Sequence, residues 1–315
     1  MDHLDRLSQS STDLWRNPSV LGVLLLQYIL VMLVVVLFVA IDAAIIWWLN
    51  SGTLGPLLSA DQFQPEALLN AIWNARTIST IVAVGLIQLV LLLLLSSIFT
   101  AGALGMMRNL LLDGSTRFQE FPSMARRFTG QVFRFTLLRY ALLAIPIGLF
   151  LFAVLSVLGT TPELIDSTQI GLLITSGVIL LVVGVLVAFL LMYGDAVIVF
   201  EDLGALHAAR RTLLIVREHP GTSIAAGLLG FTTIIVLSII VSLLTMPLSI
   251  AADATGSAGL LVGEQVVSFL GNIILMAAGL VVTIFLFRTY RHLTGGTVRT
   301  APYRTRKSAA AKKKA

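Results

Sequence analysis

The sequence predicts an all-α fold: a polytopic membrane bundle of six transmembrane helices. Composition is the first reason. The chain has 315 residues, of which 57% are hydrophobic and 12% charged, with a mean hydropathy of +0.96. A soluble domain carries about 25% charged residues, so lipid is the expected solvent for much of this surface. The second reason is six apolar runs, each longer than the roughly 20 residues that cross a hydrocarbon core. The third is charge. Of 21 lysines and arginines, all but Arg76 fall in the two termini and the even-numbered gaps between runs. That is the positive-inside pattern, with both termini cytoplasmic.

The first run extends over about 20–48 and ends in Trp47-Trp48, a pair suited to anchoring a span at the interface. The second covers about 77–107, the third 135–158 with Pro146 inside it, the fourth 170–200, the fifth 222–250 with Pro247, and the sixth 265–290. Several approach thirty residues, so tilt or kinking is expected. A cleaved signal peptide is the competing reading of the first run, but that run is far longer than an h-region and follows a long polar leader. Outside the membrane, Pro65-Glu66 could open a short helix through Leu68, Leu69, Ile72 and Trp73. The chain divides into a six-span domain, 1–294, and a basic tail, 295–315, expected to be disordered and cytoplasmic.

The basic gaps carry amphipathic segments. From Arg117 to Phe135, the residues Phe118, Phe121, Met124, Ala125, Phe128, Val132 and Phe135 share roughly a third of the helix circumference. Arg126, Arg127 and Arg134 lie opposite. This predicts a cytoplasmic interfacial helix with phenylalanines in the acyl boundary and arginines toward headgroups. Leu203, Leu206 and Leu213 form a poorer stripe with Arg211 opposite, interrupted by Arg210. The leader from Leu4 to Trp15 is weaker still. The junctions at Asn17-Pro18 and His219-Pro220 echo each other, because proline suits the first turn of a helix. Three units, each an amphipathic helix followed by a two-span hairpin, are one reading; the other is that any six-span protein has basic inner loops.

Candidate chemistry is sparse. The chain has no cysteine, which excludes disulfides, thiol catalysis and cysteine-ligated zinc. His3, His207, His219 and His292 lack a second ligand at metal spacing, so no metal site is expected. No phosphate-binding Gly-rich loop and no nucleophile constellation occurs, so no catalytic residue, cofactor or enzyme activity is assigned. Charges inside the spans are the usual functional pointers. Asp42 and Asp195 are the two clear cases, with Gln27 and Gln88 as further intramembrane polar residues. Each aspartate reads either as a proton or cation relay or as an interfacial carboxylate reaching water or an arginine. The deduced topology puts them in opposite leaflets, which disfavours a two-carboxylate hydrolase. Pro146 and Pro247 could unwind backbone for a substrate.

The stretch Thr100-Ala-Gly-Ala-Leu-Gly-Met-Met-Arg108, then Leu112-Asp113-Gly114 and Phe118-Gln-Glu-Phe121, resembles six-span bacterial and archaeal membrane families of unknown function. Asp195-Ala-Val-Ile-Val-Phe-Glu-Asp-Leu-Gly204, followed by Ala208-Ala-Arg-Arg211, extends the resemblance. The chain is also similar to the membrane domain fused to some glycerophosphodiester phosphodiesterases, but no gap could hold their catalytic barrel. The resemblance implies a prokaryotic plasma membrane and no agreed activity.

Two functions remain. One is a non-enzymatic module that organises lipid or a partner protein through basic cytoplasmic helices. Its contacts would be Phe121, Arg126, Arg127, Phe128, Arg134, Arg210, Arg211 and Arg217, and its partners anionic headgroups, a protein, or a second copy of the chain. The net charge of +5 is concentrated beside spans and is not a nucleic-acid signal. The other is a small transporter for an amphiphilic or lipophilic solute, disfavoured by span centres that are mostly Leu, Val, Ile and Gly.

Overall fold

Proline sets where the helices begin. The computed structural model describes residues 3–58, 75–158, 166–255 and 258–296. Helix α1 (His3–Arg16) stops at Asn17, and Pro18 opens α2 (Pro18–Leu58). Much later, α7 (Ala205–Glu218) stops at His219, and Pro220 opens α8 (Pro220–Thr255). A proline ring has no N–H to give and crowds the preceding turn, which suits it to the first turn of a new helix at these two junctions. Span two is α3 (Ala75–Asp113). After it, a 3-10 turn at Phe118–Glu120 leads into one continuous helix, α4 (Phe121–Leu158), containing both the amphipathic stripe and span three. The separate interfacial helix expected there is therefore fused to its span, because no proline stands between them.

Span four is broken where the sequence gives no proline: α5 (Ser167–Leu190) and α6 (Gly194–Glu201) are separated at 191–193. Pro146 and Pro247, which could have unwound backbone, remain inside unbroken helices. Helix α9 (Ala258–Leu293) is the last of the described helices. It ends where Gly295 and Gly296 take φ of 65° and 70°, and the Gly296 N–H returns to the Arg291 carbonyl at 2.8 Å. Only glycine adopts that left-handed turn without strain.

Among the described residues, six helical segments are long and apolar enough to cross a membrane: Pro18–Gly52, Arg76–Asp113, Phe118–Val157, Ser167–Glu201, Pro220–Ala251 and Val262–Leu293. The chain is an all-α, multi-pass integral membrane protein. The short outer helix expected around Pro65 and the tail beyond Gly296 lie outside the described residues. At the start of α5, Ser167 and Thr168 donate hydroxyl hydrogen bonds to Asp166, which holds its carboxyl below the ordinary carboxylate range.

The hairpins α2–α3, α4–α5 and α8–α9 each pack together, and α1 lies against α9, linking the two ends of the chain. The packed core sits at one end, where the basic gaps are. It joins Val20 and Val23, Phe99 to Leu110, Phe128 to Phe135, Leu191 to Phe200, Ala205 to Val216 and Leu280 to Tyr290. Seven consecutive residues, Ala101 to Met107, are buried, as are Ala196 to Phe200. Those are the two stretches that carried the family resemblance.

Small residues explain the close packing. A Cβ on Gly102 would lie 2.2 Å from the Phe121 ring, one on Gly105 would lie 2.5 Å from Met124 Cβ, and one on Gly194 would lie 1.9 Å from the Phe135 ring. The amphipathic stripe of α4 thus seats in notches on α3 and α6. This corrects the expectation that the stripe's phenylalanines enter the acyl boundary for all but the first: Phe118 is 49% exposed, but Phe128 and Phe135 are 0% exposed, and Phe121 is half-buried against Phe99, with ring centroids 5.5 Å apart. An apolar stripe is satisfied equally by lipid and by a protein groove, so periodicity alone does not distinguish them.

Candidate functional site

The basic end is a network of paired charges. Asp202, held in the left-handed region at φ 55°, caps α6 and accepts hydrogen bonds from Arg127 at 2.9 Å and Gln131 at 3.1 Å. Aspartate tolerates that conformation better than most side chains. Its neighbour Glu201 accepts from Arg211 at 3.3 Å and from the Tyr290 hydroxyl. Two adjacent carboxylates therefore tie α4, α7 and α9 to the end of span four. Across the bundle, Glu120 accepts from Asn109 at 2.8 Å and Thr116 at 3.1 Å, and Ser19 donates to the Thr116 carbonyl at 3.1 Å. Arg288 bonds Gln9 at 2.6 Å and pairs with Asp13, clamping α1 to α9.

These pairings redistribute the residues expected to touch lipid or a partner. Arg127 and Arg211 are committed to Asp202 and Glu201. Phe128 is enclosed and can touch neither. Arg126, Arg134, Arg210 and Arg217 stay exposed. On α7 the small face is buried through Ala205, Ala208, Ala209 and Thr212, while Leu206, Leu213 and Leu214 are exposed at 65%, 42% and 48%. The exposed leucines share their side with Arg210 and Arg217, which i, i+3 and i+4 spacing requires. Beside them a groove of about 500 Å³ runs between α4 and α7, lined by Arg134, Leu137, Leu206 and His207 among others.

The four intramembrane polar residues all have partners. Asp195 pairs with Arg139 at 3.1 Å beside the break in span four, and Arg139 also reaches the Leu191 carbonyl at 3.3 Å. The side chains are 33% and 23% exposed. Of the two readings offered for Asp195, this geometry is that of a carboxylate reaching an arginine. Asp42 accepts from Gln88 at 2.9 Å, and Gln27 donates to Ser96 at 3.2 Å. With Asn50 on Thr77 at 3.1 Å, these pairs join spans one and two at three levels. Asp42 and Asp195 have separate partners and do not meet.

Sequence reasoning passed over Glu201, Asp202, Glu120, Asp13 and Tyr290. The signal available was acidic residues embedded in basic gaps, where a carboxylate has an arginine to find.

A family model described as a domain of unknown function, DUF7847, matches residues 1–293. The chain belongs to that family. The match spans α1 through α9 as one unit, so the leader helix is part of the family's fold rather than an appendage. It carries no link to the membrane domain fused to glycerophosphodiester phosphodiesterases. No curated protein and no solved structure matches the chain.

Proposed function

We propose that this DUF7847 member is a non-enzymatic membrane module that gathers anionic lipid at its basic end, with that end and both termini on the cytoplasmic side of a prokaryotic cell membrane. One observation carries the reading: the uncovered side of α7 alternates Leu206, Leu213 and Leu214 with Arg210 and Arg217, and Arg134 and Leu137 extend it across the groove to α4. Exposed leucines suit acyl chains and the arginines beside them suit phosphates. The phenylalanine stripe first expected to do this is replaced by the leucines of α7. Each basic residue at an anionic surface contributes about 1 kcal/mol, screened by salt.

The test uses the full chain in nanodiscs of mixed phosphatidylglycerol and phosphatidylcholine. Native mass spectrometry of the retained lipid should show phosphatidylglycerol enriched around the wild-type protein. The enrichment should fall about tenfold or more, at roughly 1.4 kcal/mol per decade, in Arg134→Gln/Arg210→Gln/Arg217→Gln. Equal lipid shells in the two proteins would end this reading. A second reading, a carrier for an amphiphilic solute, draws on a cavity of about 590 Å³ among α2, α3 and α9, lined by Leu and Met with Gln27, Tyr28, Ser96 and Thr283. Uptake of a labelled amphiphile by proteoliposomes would favour it.

A further inference from the structure

The cavity of about 590 Å³ among α2, α3 and α9 has the size of a small-molecule site. Gln27, Tyr28, Ser96, Thr100 and Thr283 line it among leucines and methionines, and no described lining residue is charged. Gln27 donates to Ser96 at 3.2 Å, and Thr283 donates to the Gly279 carbonyl at 2.8 Å. Other hydrogen-bonding capacity is unused. Among the described residues, the Tyr28 and Thr100 hydroxyls have no hydrogen-bond partner, and the Ser96 hydroxyl accepts without donating. Asn272 stands one turn outward of Met276, on the face of α9 that carries Met276, Gly279 and Thr283. It is exposed and likewise has no partner among the described residues.

Depth decides what can meet these groups. From Pro18 on to Tyr28, and from Arg108 back to Ser96, the helices run roughly 15–18 Å at 1.5 Å per residue. Half a hydrocarbon core is about 15 Å. Away from water, a polar group without a partner is costly. A phospholipid held here would bring its phosphate to a lining without a cation, which is costlier still. A small neutral head can sink below the headgroups. Hydroxyls both donate and accept, so it should offer a donor and acceptors together. We propose that this cavity binds a neutral glycerolipid with two hydrocarbon chains and one free hydroxyl. Its head meets Tyr28, Ser96 and Thr100, and its chains follow the apolar walls. This deepens the carrier reading by naming the class of molecule, and rests on that reading for the choice of cavity.

The probe is dioleoylglycerol, added to the full-length protein in non-ionic detergent and compared with its acetyl ester and with phosphatidylglycerol. Native mass spectrometry should show dioleoylglycerol retained, and thermal unfolding should show a saturable rise in Tm. Capping the hydroxyl should weaken retention about tenfold, the order expected for one lost hydrogen bond. Phosphatidylglycerol should not compete. Tyr28→Phe/Thr100→Val removes two hydroxyls, keeps side-chain shape and leaves the ring contact of Tyr28 with Phe269, so a loss of about tenfold or more is expected in a folded protein. Gly279 has open space where a Cβ would stand, so Gly279→Leu should fill the cavity and abolish retention. Arg134→Gln/Arg210→Gln/Arg217→Gln should retain dioleoylglycerol as the wild type does, which separates this site from the α4–α7 groove. Retention without uptake by proteoliposomes supports the site and ends the carrier reading alone. The proposal is overturned if dioleoylglycerol is not retained, if the acetyl ester or phosphatidylglycerol binds equally well, or if both the filled and the hydroxyl-free variants still retain it.

Discussion

The two ends of the bundle use the same helices and differ in what lies between them. At the basic end, Ala101 to Met107 of α3 are wrapped on all sides, and glycines admit Phe121, Met124 and Phe135 to near contact with neighbouring backbone. Toward the far end the helices turn Leu, Ile and Val outward: Val36 is 66% exposed, Ile145 77% and Leu181 66%. Glycines there, such as Gly148 and Gly171, have open space where a Cβ would stand. Lipid tails solvate leucine as well as another leucine does, so apolarity does not draw helices together inside a membrane. Close approach through small residues, and polar pairs, do. The basic end has both. The far half has isolated hydrogen bonds between α2 and α3, a close contact of Gly271 with Val241, and a hollow of about 500 Å³ between α8 and α9 lined by Ser242, Thr245 and Glu264 among others.

The largest test of this contrast is to empty one site in each half. Phe128→Ala removes a ring that is 0% exposed at the basic end, and Phe152→Ala removes one that is 65% exposed. Phe→Ala in a core costs about 3–5 kcal/mol. Here the lower figure applies, because part of the transfer term vanishes when lipid replaces water as the reference. Unfolding in detergent should show Phe128→Ala destabilised by about 3 kcal/mol and Phe152→Ala within about 0.5 kcal/mol of wild type. Equal losses would mean that the far half is packed after all.

A smaller effect is expected at the break in span four. The Arg139–Asp195 pair is roughly three-quarters covered, so its loss lies between a surface bridge and a buried one. Asp195→Asn should cost about 1–2 kcal/mol, and a double-mutant cycle with Arg139→Gln should recover most of that as coupling. Zero coupling, together with loss of a cellular phenotype in a folded Asp195→Asn protein, would instead make this aspartate a relay. The smallest effect is Ser96→Ala, which removes the bond from Gln27. Hydrogen bonds between spans average about 0.6 kcal/mol, so a change of that order in the same assay is expected.

Much of the architecture was legible because its causes are local. Hydrocarbon thickness sets a minimum span, so six apolar runs give six crossing helices. Proline suits the first turn of a helix, so Asn17-Pro18 and His219-Pro220 mark helix starts, whereas Pro146 and Pro247 within apolar runs do not. Gly295-Gly296 ends the last helix for an equally local reason. Asp195 was singled out because a charge in an apolar run needs a partner. The division of labour among the arginines was not legible. Arg126 and Arg127 are adjacent and chemically identical, yet one stays exposed and the other binds Asp202, 75 positions away in the chain.

Sequence by itself determined the fold class, the number of spans and the clustering of basic charge, because each follows from short-range pattern and from the thickness and polarity of the solvent. Tertiary structure decided which apolar stripe is covered and which is left exposed. It seated Phe128 in protein and left Leu206 outside, since that choice depends on whether another helix offers a glycine notch at the right height. It also gathered Arg6, Arg288 and Arg291 around one cleft. Residues from opposite ends of the chain meet there only because α1 folds back onto α9, a contact set by long-range packing and the Asp13–Arg288 pair and not by any local periodicity.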